Sequence, residues 1–123
     1  MNQTEQLTKH NLNQFTGTEQ YFKHWTGALV YTDGVQYLGA NGAYWIIDLV
    51  ASYQTAKFIK NNPFQSWKIS RTNKGGFVAI CTDGNEKELI KQEGEYTDLL
   101  FDIELFCITD PQFKAVLLLT SEY

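Results

Sequence analysis

Cysteine, proline, histidine and methionine are all scarce in this chain: 123 residues hold two, two, two and one of them respectively. Cys81 and Cys107 stand far apart in apolar, strand-like runs, which excludes the disulfide scaffold of a small secreted domain and reads as two reduced thiols buried as small hydrophobes. Pro63 and Pro111 each mark a connection. There is no proline-rich linker, low-complexity tract or internal repeat, so one domain over residues 1–123 is expected. His10 and His24 lack any short histidine spacing and predict no metal site. Asp33-Gly34 and Asp83-Gly84-Asn85 do not continue into calcium loops, and Gly75-Gly76 lacks the lysine and spacing of a phosphate loop; no cofactor is expected. The apolar run Val116-Leu117-Leu118-Leu119 is far short of the roughly 20 residues that span a bilayer. The polar stretch Met1 to His10 has no export signature, so the expectation is a cytoplasmic protein in which the Asn2-Gln3-Thr4 sequon carries no glycan.

What is present suits a folded globule, with 43% apolar residues and 15% aromatic ones. The net charge of −4 conceals an asymmetry. Residues 1–74 hold seven basic side chains against Glu5, Glu19, Asp33 and Asp48, whereas residues 75–123 hold three lysines against ten acids. Lys57, Lys60, Lys68, Arg71 and Lys74 follow one another without an acid, near Phe64 and Trp67. That superficially resembles a base-stacking platform, but ordinary solvation of half-exposed elements is the better reading, and the acidic balance argues against nucleic acid.

Periodicity predicts an amphipathic helix over Thr4 to Phe15 and a short strand or hairpin over Glu19 to Tyr31, broken at Gly27. Thr32-Asp33-Gly34 offers a helix cap for a turn over Val35 to Ala40 closed by Gly42, and Ala43 to Gln54 reads as a central helix. After Pro63 the period becomes two. Strands are expected from about Phe64, at Phe77 to Thr82, Glu88 to Tyr96, Phe101 to Ile108 and Lys114 to Thr120, joined by turns at Asn73-Lys74-Gly75-Gly76, Asp83-Gly84-Asn85 and Asp110-Pro111. The resulting expectation is an α+β fold, an antiparallel β-meander of about five strands with N-terminal helices packed on one face. The last strand should be interior, paired with Phe101 to Ile108, and Tyr123 should fold back as a cap.

Four segments resemble a family of short, functionally uncharacterised bacterial and phage-associated proteins: Phe15-Thr16-Gly17-Thr18-Glu19 running to His24, Tyr31-Thr32-Asp33-Gly34-Val35 running to Gly42-Ala43-Tyr44-Trp45, Tyr96-Thr97-Asp98, and Leu118-Leu119-Thr120-Ser121-Glu122-Tyr123. The similarity covers nearly the whole chain. The family pattern favours proline at Thr120 and near Leu99 to Leu100, where this chain has none. The resemblance implies a stand-alone cytoplasmic protein carried on mobile elements, and brings no activity with it.

Candidate chemistry is sparse. Asp48 is the only charged residue between Asn41 and Ala56, in an otherwise apolar helix, where a partly buried carboxylate is a potential base. His24 lies in the aromatic stretch Tyr21-Phe22-Lys23-His24-Trp25, and a triad would need a nucleophile beside it with Asp33 or Asp48 as orienting acid. No nucleophile-elbow motif is present. Two functions follow. The first is a non-enzymatic interaction or accessory protein that binds a protein partner or itself through exposed aromatics, with Trp25, Tyr31, Tyr44, Trp45 and Tyr123 as binding residues. The second is a small-molecule pocket or weak hydrolase between helices and sheet, where His24, Asp33 and Asp48 converge between walls of Tyr44 and Trp45.

Overall fold

The computed structural model describes residues 8–123. The start of the helix expected from Thr4, and the Asn2-Gln3-Thr4 sequon, lie outside the described residues. Helix α1 (Lys9–Asn13) is capped by the Thr8 side chain and buries Leu12. A hairpin of two short strands follows, β1 (Tyr21–Lys23) and β2 (Val30–Thr32). Thr32 ends β2 and caps helix α2 (Asp33–Leu38), its hydroxyl accepting from the Val35 N–H. A wide turn at Gly39–Ala43 separates α2 from helix α3 (Tyr44–Ser52), and Gly42 makes this kink possible by adopting φ +102°. Helix α4 (Ala56–Asn61), capped by Thr55, leads into strand β3 (Phe64–Arg71). Strands β4 (Phe77–Thr82), β5 (Glu88–Gly94), β6 (Ile103–Asp110) and β7 (Lys114–Leu119) complete the sheet, and a 3₁₀ turn occupies Thr120–Glu122.

The α+β class is observed, but the five-stranded antiparallel meander is not. The sheet has seven strands in the order β1-β2-β7-β6-β3-β4-β5. Two features break the meander. β6 pairs with β3 rather than with β5, because the segment between β5 and β6 wraps the β3–β4 turn: Thr97 N–H donates to Gly75 C=O, Arg71 N–H donates to Asp102 at 2.9 Å, and Leu99 is buried beneath. β5 is thereby left as an edge strand, in keeping with its alternation of exposed and half-buried residues. The second break is parallel pairing of β2 with β7, through Val30 with Val116 and Tyr31 with Leu117. Short turns forbid parallel pairing only between neighbours in sequence. β2 and β7 are separated by most of the chain.

As expected, β7 is an interior strand, with β2 on one side and β6 on the other. The register places Trp67, Ile69, Ala79, Cys81, Leu105, Cys107 and Leu117 on one face, and α3 crosses it. Tyr53 packs on Trp67, and Trp45 packs on Phe77 with ring centroids 4.7 Å apart. Polar groups buried at this junction pair with one another: Gln54 and Gln65 exchange amide hydrogen bonds at 2.8 and 2.9 Å, and the Trp67 indole N–H donates to Gln65. Trp67 is fully buried and offers no face to a nucleic-acid base. On the opposite face Phe64 and Phe106 pack together, and Tyr123 meets both edge-on. Tyr123 therefore folds back onto the far face of the sheet rather than onto the core, and stays 71% exposed. No helix among the described residues is long and apolar enough to cross a membrane.

The chain's last turn is held by its carboxylate. Glu122 Oε1 accepts from the Thr32 hydroxyl at 2.6 Å and the Leu119 N–H at 2.9 Å, while Oε2 accepts from the Gly34 N–H at 3.1 Å. A Cβ on Gly34 would lie 2.5 Å from Leu119 and 2.8 Å from Glu122, so only glycine lets the two segments meet this closely. Glu122→Ala is expected to cost about 2–4 kcal/mol, because part-buried donors lose a charged acceptor. In differential scanning calorimetry that loss appears as a fall of roughly 10 °C in Tm. Tyr123→Ala, removing an exposed ring, should cost under about 1 kcal/mol.

Cys81 and Cys107 are both free and buried on the helix-facing side of the sheet, and burial pushes each thiol from 9.0 up to about 12. A folded value above the unfolded one means that the neutral thiols stabilise the fold fully below pH 9, and that this contribution is lost as pH rises from 9 towards about 12. Alkylation by iodoacetamide at pH 8 should therefore be negligible in the native protein and complete in denaturant. Rapid native labelling would show that the thiols are accessible.

Candidate functional site

The β1–β2 hairpin and the first turns of α3 enclose a cleft of about 390 Å³, lined by Lys23, His24, Trp25, Tyr31, Tyr44, Ile47 and Asp48. Tyr44 and Asp48 lie one helical turn apart on α3 and so share a face, and Ile47 lies between them. The hairpin supplies the opposing wall, with Lys23 and Tyr31 from its two strands and His24 and Trp25 from its loop.

His24 is 4% exposed and sits at the centre of a short polar chain. Its Nε2 lies 2.7 Å from Asp48 Oδ1, and its Nδ1 lies 2.7 Å from the Thr26 hydroxyl. The Thr26 backbone N–H also points at Nδ1, at 3.3 Å. A backbone N–H can only donate, so Nδ1 is the acceptor and the ring proton sits on Nε2, donated to the Asp48 carboxylate. Thr26 Oγ1 in turn accepts from the Ala28 N–H at 3.2 Å. The loop thus uses the imidazole as an internal strut. Asp48, with its side chain 56% exposed, also lies 3.4 Å from the Trp25 indole Nε1, which donates to the same Oδ1. No described residue donates to Oδ2. Trp25 itself is 83% exposed, and Tyr44 is 45% exposed. Burial, with Tyr44 and Asp48 close by, pushes the Tyr31 phenol above its usual 10.0, so Tyr31 keeps its proton throughout the neutral range.

Of the residues singled out from sequence, the structure brings together His24, Asp48, Trp25, Tyr31 and Tyr44. Asp33 does not join them. It opens α2, and its two carboxylate oxygens accept from the Glu19 and Gln20 N–H groups at 3.0 and 3.1 Å, bracing the entry to β1. Trp45 leaves the cleft because its neighbour Tyr44 faces it, and adjacent helical positions point about 100° apart; its ring covers Phe77 instead. Tyr123 lies on the far face of the sheet, against Phe64 and Phe106. Thr26 and Lys23 were not singled out, although the Thr26-Gly27 turn and the alternation along Tyr21 to Lys23 carry a local signal for them. Gly27 has φ +78°, which lets the loop close on His24.

A larger depression of about 440 Å³ lies at the start of β6, where Lys9 and Lys68 face Asp102 and Glu104. Charges of both signs share it in equal number, so it has no net preference for a charged ligand. The described residues contain no group of three or more His, Cys, Asp or Glu side chains able to hold a metal ion.

The hydroxyl, imidazole and carboxylate of Thr26, His24 and Asp48 have the composition of a nucleophile, base and acid. Their connections, however, already serve the turn: the lone pair that would take the nucleophile's proton also receives the Thr26 N–H. The Gly27 and Ala28 N–H groups are engaged with His24 C=O and Thr26 Oγ1, so neither is a free oxyanion donor. The geometry presents aromatic faces and one carboxylate oxygen to a visitor. No curated protein and no solved structure matches the chain. The family model that does match, over residues 6–123, shows that the chain belongs to DUF6876, a family of unknown function.

Proposed function

We propose that this protein is a small, non-enzymatic interaction protein of the cytoplasm that engages a protein partner through the cleft between the hairpin and α3. The observation that carries this reading is the Trp25 indole, 83% exposed beside two tyrosines, with its N–H 3.4 Å from the Asp48 carboxylate. Large aromatic side chains held ready in the binding orientation lose little entropy on association, and tryptophan and tyrosine dominate the energetics of interfaces. Two reduced, buried thiols suit a reducing compartment. Trp25 is 83% exposed and lies outside the paired residues of the hairpin, so Trp25→Ala should leave that pairing intact. Affinity capture from the native host with wild-type and Trp25→Ala protein should recover a partner that only the wild type retains, by a margin of at least about tenfold. Identical partners for both proteins would refute the reading. Self-association, seen as a Trp25-dependent dimer in sedimentation, would identify the partner as a second copy.

The Thr26–His24–Asp48 chain supports a second reading, a weak hydrolase. It has a direct test in the release of 4-nitrophenol from its acetate ester. The interaction reading expects the rate to be unchanged in Thr26→Ala. A loss of about 100-fold or more on removing the hydroxyl would establish hydrolysis instead.

A further inference from the structure

We infer that the cleft between the hairpin and α3 recognises an alkylammonium group, by enclosing the cation between Trp25, Tyr31 and Tyr44 with the Asp48 carboxylate alongside. This inference rests on reading the cleft as a binding site and specifies what enters it.

The chemistry follows from the lining. Three of the seven lining residues are Trp or Tyr, whose ring faces are the negative ends of their quadrupoles and attract a cation placed over them. The acid that accompanies them is oriented rather than loose. Asp48 Oδ1 is committed to His24 Nε2 and Trp25 Nε1, which leaves Oδ2 free to face a ligand. The Trp25 indole Nε1 lies 3.4 Å from the same oxygen, which puts ring and carboxylate side by side. The Tyr31 phenol retains its proton next to Asp48, so the cleft does not acquire a second negative charge in the neutral range.

Other ligand classes fit less well. An anion could pair with Lys23 but would meet the negative faces of three rings and the Asp48 carboxylate. A metal ion would find one carboxylate, and an imidazole whose two nitrogens are already engaged with Asp48 and Thr26. A neutral apolar ligand would gain nothing from the Asp48 carboxylate, whose side chain is 56% exposed. Lys23 also lines the cleft and offsets the charge of Asp48, so the preference for a cation rests on the three aromatic rings rather than on net charge, and a polycation is disfavoured. A volume of about 390 Å³ accommodates a trimethylammonium head group with room for its tether. Free choline-like molecules and a methylated lysine side chain of a partner present the same group.

The test follows the Trp25 indole N–H in ¹⁵N–¹H spectra of the full chain, identified by its disappearance in Trp25→Phe. The probes are choline chloride, its uncharged isostere 3,3-dimethylbutan-1-ol, and a short peptide carrying trimethyllysine, all measured against sodium chloride of equal ionic strength. The expected result is saturable movement of the Trp25 resonance with choline, with affinity for the uncharged alcohol at least about tenfold weaker. Asp48→Asn preserves an acceptor for His24 while removing the charge, and should weaken choline severalfold. Unchanged chemical shifts elsewhere in that variant would show that the fold is retained. Tighter binding of the peptide than of choline assigns the ammonium to a protein, and equal or weaker binding assigns it to a small molecule. Equal binding of the alcohol, or no movement of the Trp25 signal up to about 10 mM choline, overturns the inference. In either of those cases a Trp25-dependent partner would leave the interaction function standing. Choline binding with partner capture indifferent to Trp25 would do the reverse.

Discussion

The Glu122 carboxylate is the point at which the two ends of the described chain are fastened together. It sits at the junction of β2 and α2 and accepts from Thr32 and Gly34 there, while also satisfying Leu119 at the end of its own strand. The parallel pairing between β2 and β7 spans only two residue pairs, too little ladder to position a hairpin unaided. Charged acceptors on part-buried donors hold more firmly than neutral ones, so this carboxylate supplies what the short ladder lacks. The β1–β2 hairpin is the element that carries Lys23, His24, Trp25 and Tyr31 to the cleft. Position of the site thus depends on a contact made on the opposite side of the hairpin from the site itself.

A second constraint acts within the cleft. His24 is nearly inaccessible, and a buried polar ring must have its nitrogens satisfied. Thr26 satisfies one from the hairpin loop and Asp48 the other from α3, so the imidazole bridges two elements that share no strand pairing. The cost of burying the ring is offset only when the loop is closed and α3 is docked. The same bond places the carboxylate beside the indole, so the imidazole and the exposed indole both meet one atom, Asp48 Oδ1.

Much of this was legible in the sequence, and the omissions have physical causes. β4 falls on Phe77–Thr82, and α3 and β7 lie where periodicity puts them, because each is long enough for one face to declare itself. The partnership of His24 with Asp48 was approachable, since an isolated carboxylate in an apolar helix and an isolated imidazole among aromatics each need a partner. Strand order was not legible. Whether β6 lies beside β5 or β3 depends on how residues 95–102 wrap a turn, and local pattern carries no record of that path. Helix α4 was missed because six residues, Ala56–Asn61, make less than two turns, and its lysines read as a charge run. Glu122 carries no local signal: a lone carboxylate beside Tyr123 has the pattern of a solvated side chain, and its partners Thr32 and Gly34 are distant in sequence.

The position of β7 in the sheet also has a consequence for how the molecule comes into being. Synthesis delivers the β1–β2 hairpin early, yet the only strand that β2 pairs with besides β1 is β7, the last of the seven. Until β7 has emerged, the hairpin has no sheet to join. The β3–β4–β5 portion can assemble meanwhile through its consecutive antiparallel turns, whose contacts are local and quickly made. Docking of the hairpin is then a late and long-range event. A chain in which β7 is still unpaired therefore has the antiparallel β3–β4–β5 ladder but lacks the strand that seats the hairpin beside it.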